Sequence, residues 1–265
     1  MTDKSITNNP WGEWRSVTPA RLALGRAGAG MPTDEVLRFG WAHAMARDAI
    51  HATLDVAKLE TDLHAQGWIV AHVRSRATDR TIYLRRPDLG RVIDPGDIAR
   101  LRAEPIVRSD VCIVIGDGLS SLAIERHAAP LLAALKPLLA DELRHAPVVI
   151  ATQARVALAD EIGELLQAKL TVMLIGERPG LSSPDSLGIY ITHAPFRGRG
   201  DAGRNCISNV RPEGLSYSAA AFKLAWLVRE ALARQLTGIE LKDESDLALL
   251  KTKAASQISG NAPPE

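Results

Sequence analysis

Leu170-Thr-Val-Met-Leu-Ile175 is a short apolar run with β-branched residues, and Gly176-Glu-Arg-Pro-Gly-Leu-Ser-Ser-Pro-Asp185 follows it directly. The run reads as a buried strand. The loop after it cannot continue as helix, because Pro179 and Pro184 lack the backbone donor and Gly176 and Gly180 add flexibility. A strand that ends in such a loop belongs at the carboxyl edge of an α/β sheet, where ligands bind.

Working outward, the same rhythm recurs. Val111-Cys-Ile-Val-Ile115 and Val148-Val-Ile-Ala151 read as strands, as does Leu187-Gly-Ile-Tyr-Ile-Thr192. Helical patterns run from Ser120 towards Pro137, from Ala157 to Gln167, and from an N-cap at Ser216 to a stop at Gly238. Strands alternating with helices predict an α/β fold: a Rossmann-like, mainly parallel, doubly wound sheet. Upstream, Thr33 is a candidate cap, and Leu37, Trp41, Ala44 and Met45 follow at helical spacing. Val56, Leu59 and Leu63 form a second stripe that stops at Gly67. The expected organisation is a flexible arm over 1–17, a smaller α-helical domain over 18–105, the sheet domain over 106–250, and a disordered tail over 251–265. Residues 203–216 read as a second loop rich in Gly, Asn and Ser. Six arginines between Arg74 and Arg91 are interleaved with Asp79 and Asp88, a mixture that favours ion pairing or a protein contact over phosphate capture.

Composition narrows the function. The 265 residues carry a net charge of +1, which argues against a general nucleic-acid binder. Cys112 and Cys206 lie far apart, so neither a disulfide framework nor a cysteine-rich zinc site is indicated. No apolar run approaches the ~20 residues needed to span a bilayer, and no signal peptide is evident. The expectation is a soluble, cytoplasmic protein with no membrane or nucleic-acid partner.

Two motifs invite other readings. Gly116-Asp-Gly118-Leu-Ser-Ser121 follows a strand and opens a helix, as a dinucleotide fingerprint would. Its third glycine is replaced by Ser121, and no acid follows the next strand to hold a ribose, so a free-standing nucleotide-binding oxidoreductase is the weaker alternative. Asp62-Leu-His64-Ala-Gln-Gly67 fits a D-x-H-x-x-G pattern that can supply histidine to cobalt. It closes an amphipathic helix, however, and not a strand-to-helix turn, which is the wrong context. His43 and His51 are spaced by eight residues, and His127 has no acid at ligand spacing, so metal binding through protein groups is not expected. No nucleophile elbow is present.

Long motifs carry a family resemblance. Thr18-Pro-Ala-Arg-Leu-Ala-Leu-Gly-Arg-Ala-Gly-Ala-Gly30, Arg47-Asp-Ala-Ile-His51, Arg76-Ala-Thr-Asp-Arg80, Tyr83–Arg91 and Asp110–Ser120 join the loops at 176–185 and 203–216. Together they resemble the light (small) chain of ethanolamine ammonia-lyase, over residues 18 to 245. The resemblance implies an adenosylcobalamin-dependent lyase that converts ethanolamine to acetaldehyde and ammonia. It implies a large (heavy) chain partner, in an assembly of six large and six small chains, whose barrel holds the substrate. The small chain would cover part of the cobalamin, contacting it through Val156, Glu177 and Cys206, with no catalytic residue of its own. The cofactor's own base would stay on cobalt, so His64 is not needed. The 1–17 arm is either a simple terminal segment or an address for a bacterial microcompartment. Each contact has a structural competitor: Val156 as core packing, Glu177 as a brace pairing Arg178 or Arg204. Cys206 would act by backbone or thiol contact, without redox chemistry. A pure assembly subunit that touches no cofactor is the other alternative.

Overall fold

The computed structural model describes residues 6–7, 9–103, 109–143 and 145–247. Strands β1 (Ile6–Thr7) and β2 (Arg26–Ala27) pair antiparallel near the start of the chain. Helices α1 (Thr33–His51) and α2 (Val56–Ala65) lead to β3 (Val70–Arg74), α3 (Arg80–Arg85) and α4 (Pro95–Ala103). The remainder alternates: β4 (Val111–Gly116), α5 (Ser121–Leu135), β5 (Val148–Thr152), α6 (Leu158–Leu165) and β6 (Leu170–Gly176). Strands β7 (Leu187–His193) and β8 (Asn205–Val210) and helix α7 (Tyr217–Arg234) complete it.

One six-stranded sheet, in the order β3-β5-β4-β6-β7-β8, organises the molecule. The first four strands are parallel, β7 is antiparallel to β6, and β8 is antiparallel to β7. Every residue of β4 and β6 is buried, which explains their unbroken apolar character: a central strand covered on both sides has no polar face. Alternate residues serve opposite layers. Ile113, Val172 and Ile189 pack with α2, α5 and α7, whereas Val114, Met173 and Ile175 pack with α4 and α6. Helices therefore cover both faces, as an α/β sheet requires.

Several expectations need correction. Residues 18–105 are not all helical, because Val70–Arg74 is an edge strand parallel to β5, with Val70 opposite Val148. The expected boundary near Pro105 falls on residues 104–108, outside the described residues, as does the tail over 251–265. Asn205–Val210, read as loop, is strand β8. Thr33 is not a cap; Pro32 precedes α1 without a side-chain cap bond. Helix α7 does begin with Ser216 accepting from Ala219 N, but it ends at Gln235 in the left-handed region, before Gly238. The described part of the arm is tied down: Pro10–Ser16 forms a 3₁₀ helix, and Arg15 pairs with Glu35 at 2.6 Å. No helix of the described residues is long and apolar enough to cross a membrane.

Candidate functional site

The parallel strands deliver three turns to one edge. The chain leaves β4 through α5 to β5 on one side and returns through α6 on the other face to β6, so the strand order reverses between β4 and β6, which is the topological switch point. It is closed from within. Asp117 accepts from the backbone N–H of Gln153 and of Ala154, both at 2.9 Å. Arg80 donates to the carbonyls of Gly118, at 2.7 Å, and Ile50. Gly118 has φ +58°, and a Cβ there would lie 2.3 Å from the Gly176 carbonyl. A carboxylate, carbonyls and a resident guanidinium thus occupy the place where a dinucleotide's phosphates would approach, which disfavours the oxidoreductase alternative. The Arg80 and Arg155 guanidiniums both lie over the Tyr83 ring, 4.8 and 4.3 Å from its centroid. Arg80 Nη2, Gln153 Oε1 and Arg155 Nε are buried without a partner among the described residues. A buried polar atom without a partner is exceptional in a folded chain.

The more open part of the edge lies beyond α6, over β7 and β8. Glu177 leaves the end of β6 and folds back over Gly188, where a Cβ would stand 3.0 Å from Glu177 Oε1. Glu177 Oε2 accepts from the Ser186 hydroxyl and, at 3.3 Å, from Asn209 N. That second bond depends on a bulge: Leu187–Ile189 of β7 face Val210–Ile207 of β8, so the extra residue turns the Asn209 amide towards the carboxylate. Asn209 has φ +60°. Glu177 Oε1 accepts no hydrogen bond from the described residues. Neither Arg178 nor Arg204 braces Glu177; Arg204 is buried against Asp160 and also reaches Asp201 at 2.5 Å. That pair fastens the start of β8 to α6.

Tyr190, two residues beyond Gly188, pairs in register with Met173 of β6 and Cys206 of β8. Cys206 is exposed, with its Sγ 3.3 Å from Ser208 Oγ. Val156 is half-buried at the entrance to α6 and packs on the layer formed by Met173 and Ile175. Val156, Glu177 and Cys206 therefore share one side of the sheet, separated by α6 and joined by β7. The shelf is a surface and not a closed cavity. An open groove of about 400 Å³ lies elsewhere, between Trp11 and Trp14 of the arm and Leu22.

On the opposite side of the same loop, His127 Nδ1 lies 2.8 Å from the Tyr217 hydroxyl and Nε2 lies 3.5 Å from Asp185. Sequence spacing hid this acidic partner, which arrives from the 177–186 loop. Arg126 pairs with Asp185 at 2.7 Å and completes the anchor. Burial alone would raise Asp185, but Arg126 and His127 outweigh it and hold the carboxyl below its ordinary value. Burial holds the His127 imidazole below its ordinary value despite that carboxylate. Of the other histidines, His64 ends α2 and is exposed. No group of His, Cys, Asp and Glu that could hold a metal occurs among the described residues.

The profile of the ethanolamine ammonia-lyase light chain family matches residues 8–242. This chain belongs to that family. The ethanolamine ammonia-lyase small subunit of Azotobacter vinelandii is 56% identical over 255 residues, covering 94% of each chain. That of Bradyrhizobium diazoefficiens is 55% identical over 250 residues, covering 92% of this chain and 95% of its own. The Pseudomonas aeruginosa small subunit is 51% identical over 262 residues, 96% of both. Family membership brings the long motifs under one explanation. Within the light-chain fold, Arg80 of the 76–80 motif closes the β4 turn, and Asn205–Val210 supplies β8. Sequence reasoning missed Gly188 and Tyr190, although the alternation of β7 places both on one side.

Proposed function

We propose that this light chain is the small subunit of an adenosylcobalamin-dependent ethanolamine ammonia-lyase and lays its β6–β8 shelf against the cobalamin held by a heavy chain. The observation that carries the reading is the shelf itself. Glu177 is held by two donors on one oxygen while its other oxygen is uncommitted, with exposed Cys206 and Ser208 beside it. Cobalamin is a broad ring edged with neutral amides, so its partner surface needs acceptors, small polar groups and apolar flanks on an open face. The residues present meet that requirement: Glu177 Oε1 would accept an amide N–H, Val156 would flank the ring, and Cys206 would contact it by thiol or main chain. When bound, the cofactor supplies the radical chemistry that converts ethanolamine to acetaldehyde and ammonia. This chain would bind and orient it and exclude water from one side. We assign it no catalytic acid, base or nucleophile.

The heavy chain would also cover the amino-terminal side. Eight of the thirteen large apolar side chains exposed among the described residues lie between Trp11 and Trp41. Arg21 links this region to the site by donating to the Leu181 carbonyl at 3.2 Å. A partner seated on α1 and the arm would therefore reach the 177–186 loop. By contrast, part of the arginine-rich segment is engaged within the chain: Arg74 lies 3.8 Å from Asp94, Arg86 pairs with Asp88 at 2.7 Å, and Arg80 is held as described. Six copies of each chain and enclosure in a microcompartment remain further parts of the proposal, tested by native mass and by localisation of the labelled arm.

Glu177→Ala in the two-chain complex tests the cofactor contact. Leaving a buried partner unpaired costs about 1–3 kcal/mol, or roughly 5- to 150-fold in dissociation constant. Weakened cobalamin binding with intact assembly and melting temperature is expected. Unchanged affinity in an intact complex would remove Glu177 from the site.

A further inference from the structure

We propose that Tyr190 is a further cobalamin-contacting residue of this chain, its ring packing on the macrocycle and its hydroxyl bonding the amide edge. The inference rests on the cobalamin reading above and deepens it. Tyr190 occupies the middle of the shelf. Glu177 bends over Gly188, two residues earlier on β7, and Cys206 stands in register beside Tyr190 on β8. Three strands thus present Met173, Tyr190 and Cys206 in a row, graded from buried to half-buried to exposed. Helix α6 covers Met173 but leaves Tyr190 partly uncovered.

The other two tyrosines have different surroundings. Tyr83 is fully buried and donates to the Ala154 carbonyl at 3.0 Å, while Tyr217 is tied to His127. Burial and the hydrogen-bonding Cys206 thiol beside it push the Tyr190 phenol up to about 12. An aromatic plane beside an uncommitted carboxylate oxygen and exposed small polar groups is a surface for a flat, amide-edged ring.

The test uses the two-chain complex and cyanocobalamin, an unreactive probe, so that binding is read without turnover. Tyr190→Leu keeps apolar bulk against Met173 but removes the ring and hydroxyl. Tyr190→Phe removes the hydroxyl alone. We expect about 10-fold weaker binding for the Leu variant and about 3-fold for the Phe variant, with the complex intact by native mass. If the Leu variant fails to assemble, the Phe variant, which preserves the packing, carries the comparison. Wild-type affinity in an intact Phe variant and in any intact Leu variant would overturn the role of Tyr190 while leaving the cobalamin reading in place. A wild-type complex that does not bind cyanocobalamin would overturn that reading, and this inference with it.

Discussion

Glu177 and Gly188 form a small device in which the absence of a side chain positions a carboxylate. The 3.0 Å gap between the Gly188 Cβ position and Glu177 Oε1 is tighter than ordinary contact, so Gly188→Ala should displace the carboxylate from its seat. The expected outcome is weaker cobalamin binding by the complex with a melting temperature within a few degrees of wild type; unchanged affinity would place the acceptor elsewhere. His127 makes a different prediction. Its ordinary value is 6.5 and burial lowers it in the fold, so the unfolded chain takes up the proton first as pH falls. Stability from keeping the imidazole neutral is present above about 6.5 and declines below it towards the folded value. Asp185, depressed by Arg126 and His127, adds a separate loss below about 3.8. Between pH 7 and 5 the melting temperature of wild type should fall more steeply than that of His127→Gln; identical pH dependence would exclude His127 as the source. At this scale the proposed contacts Val156, Glu177 and Cys206 rest on family motifs and not on any local pattern of the sequence. The partners that give Glu177 its orientation, Ser186, Gly188 and Asn209, come from β7 and β8, and their convergence is set by strand pairing and not by local spacing.

Elements converge on the same shelf through buried charge. Arg204, at the mouth of β8, meets Asp160 of α6 with side chains 2% and 1% exposed. Removing one member leaves the other charged and buried, which typically costs on the order of 3–5 kcal/mol. Asp160→Ala should therefore destabilise the chain by about that amount and loosen β8; a loss under about 1 kcal/mol in thermal unfolding would contradict the clamp. Reading such elements from sequence succeeded where a run was apolar enough to be buried on both sides, as in β4 and β6. It failed for β8, whose Asn205, Ser208 and Asn209 have little strand propensity and are held by pairing with β7. It failed for β3 because its partner, β5, lies far along the chain, beyond any local pattern. The stripe on α1 was correctly helical, yet it does not face the chain's own core: Leu37 and Trp41 are 67% and 71% exposed.

The whole molecule reads as half of a working unit, with an unpartnered apolar amino-terminal side and an open shelf connected by Arg21 and the 177–186 loop. Because Leu37 and Trp41 contribute little to the chain's own packing, Leu37→Ser with Trp41→Ser should leave its melting temperature nearly unchanged. Association with the heavy chain should weaken by more than about 10-fold, since truncating a central aromatic in an interface commonly costs 2 kcal/mol or more. Unimpaired association in sedimentation would move the interface away from α1. The isolated chain should release no acetaldehyde from ethanolamine in the presence of adenosylcobalamin, and adding the heavy chain should restore activity. The most direct measurement is a titration of adenosylcobalamin against this chain, the heavy chain and their complex under one set of conditions. A shelf that covers the cofactor predicts tighter binding by the complex than by either chain alone, with the advantage diminished by Glu177→Ala. Equal affinity for the heavy chain alone and for the complex would contradict a cofactor role for this chain and leave it an assembly subunit.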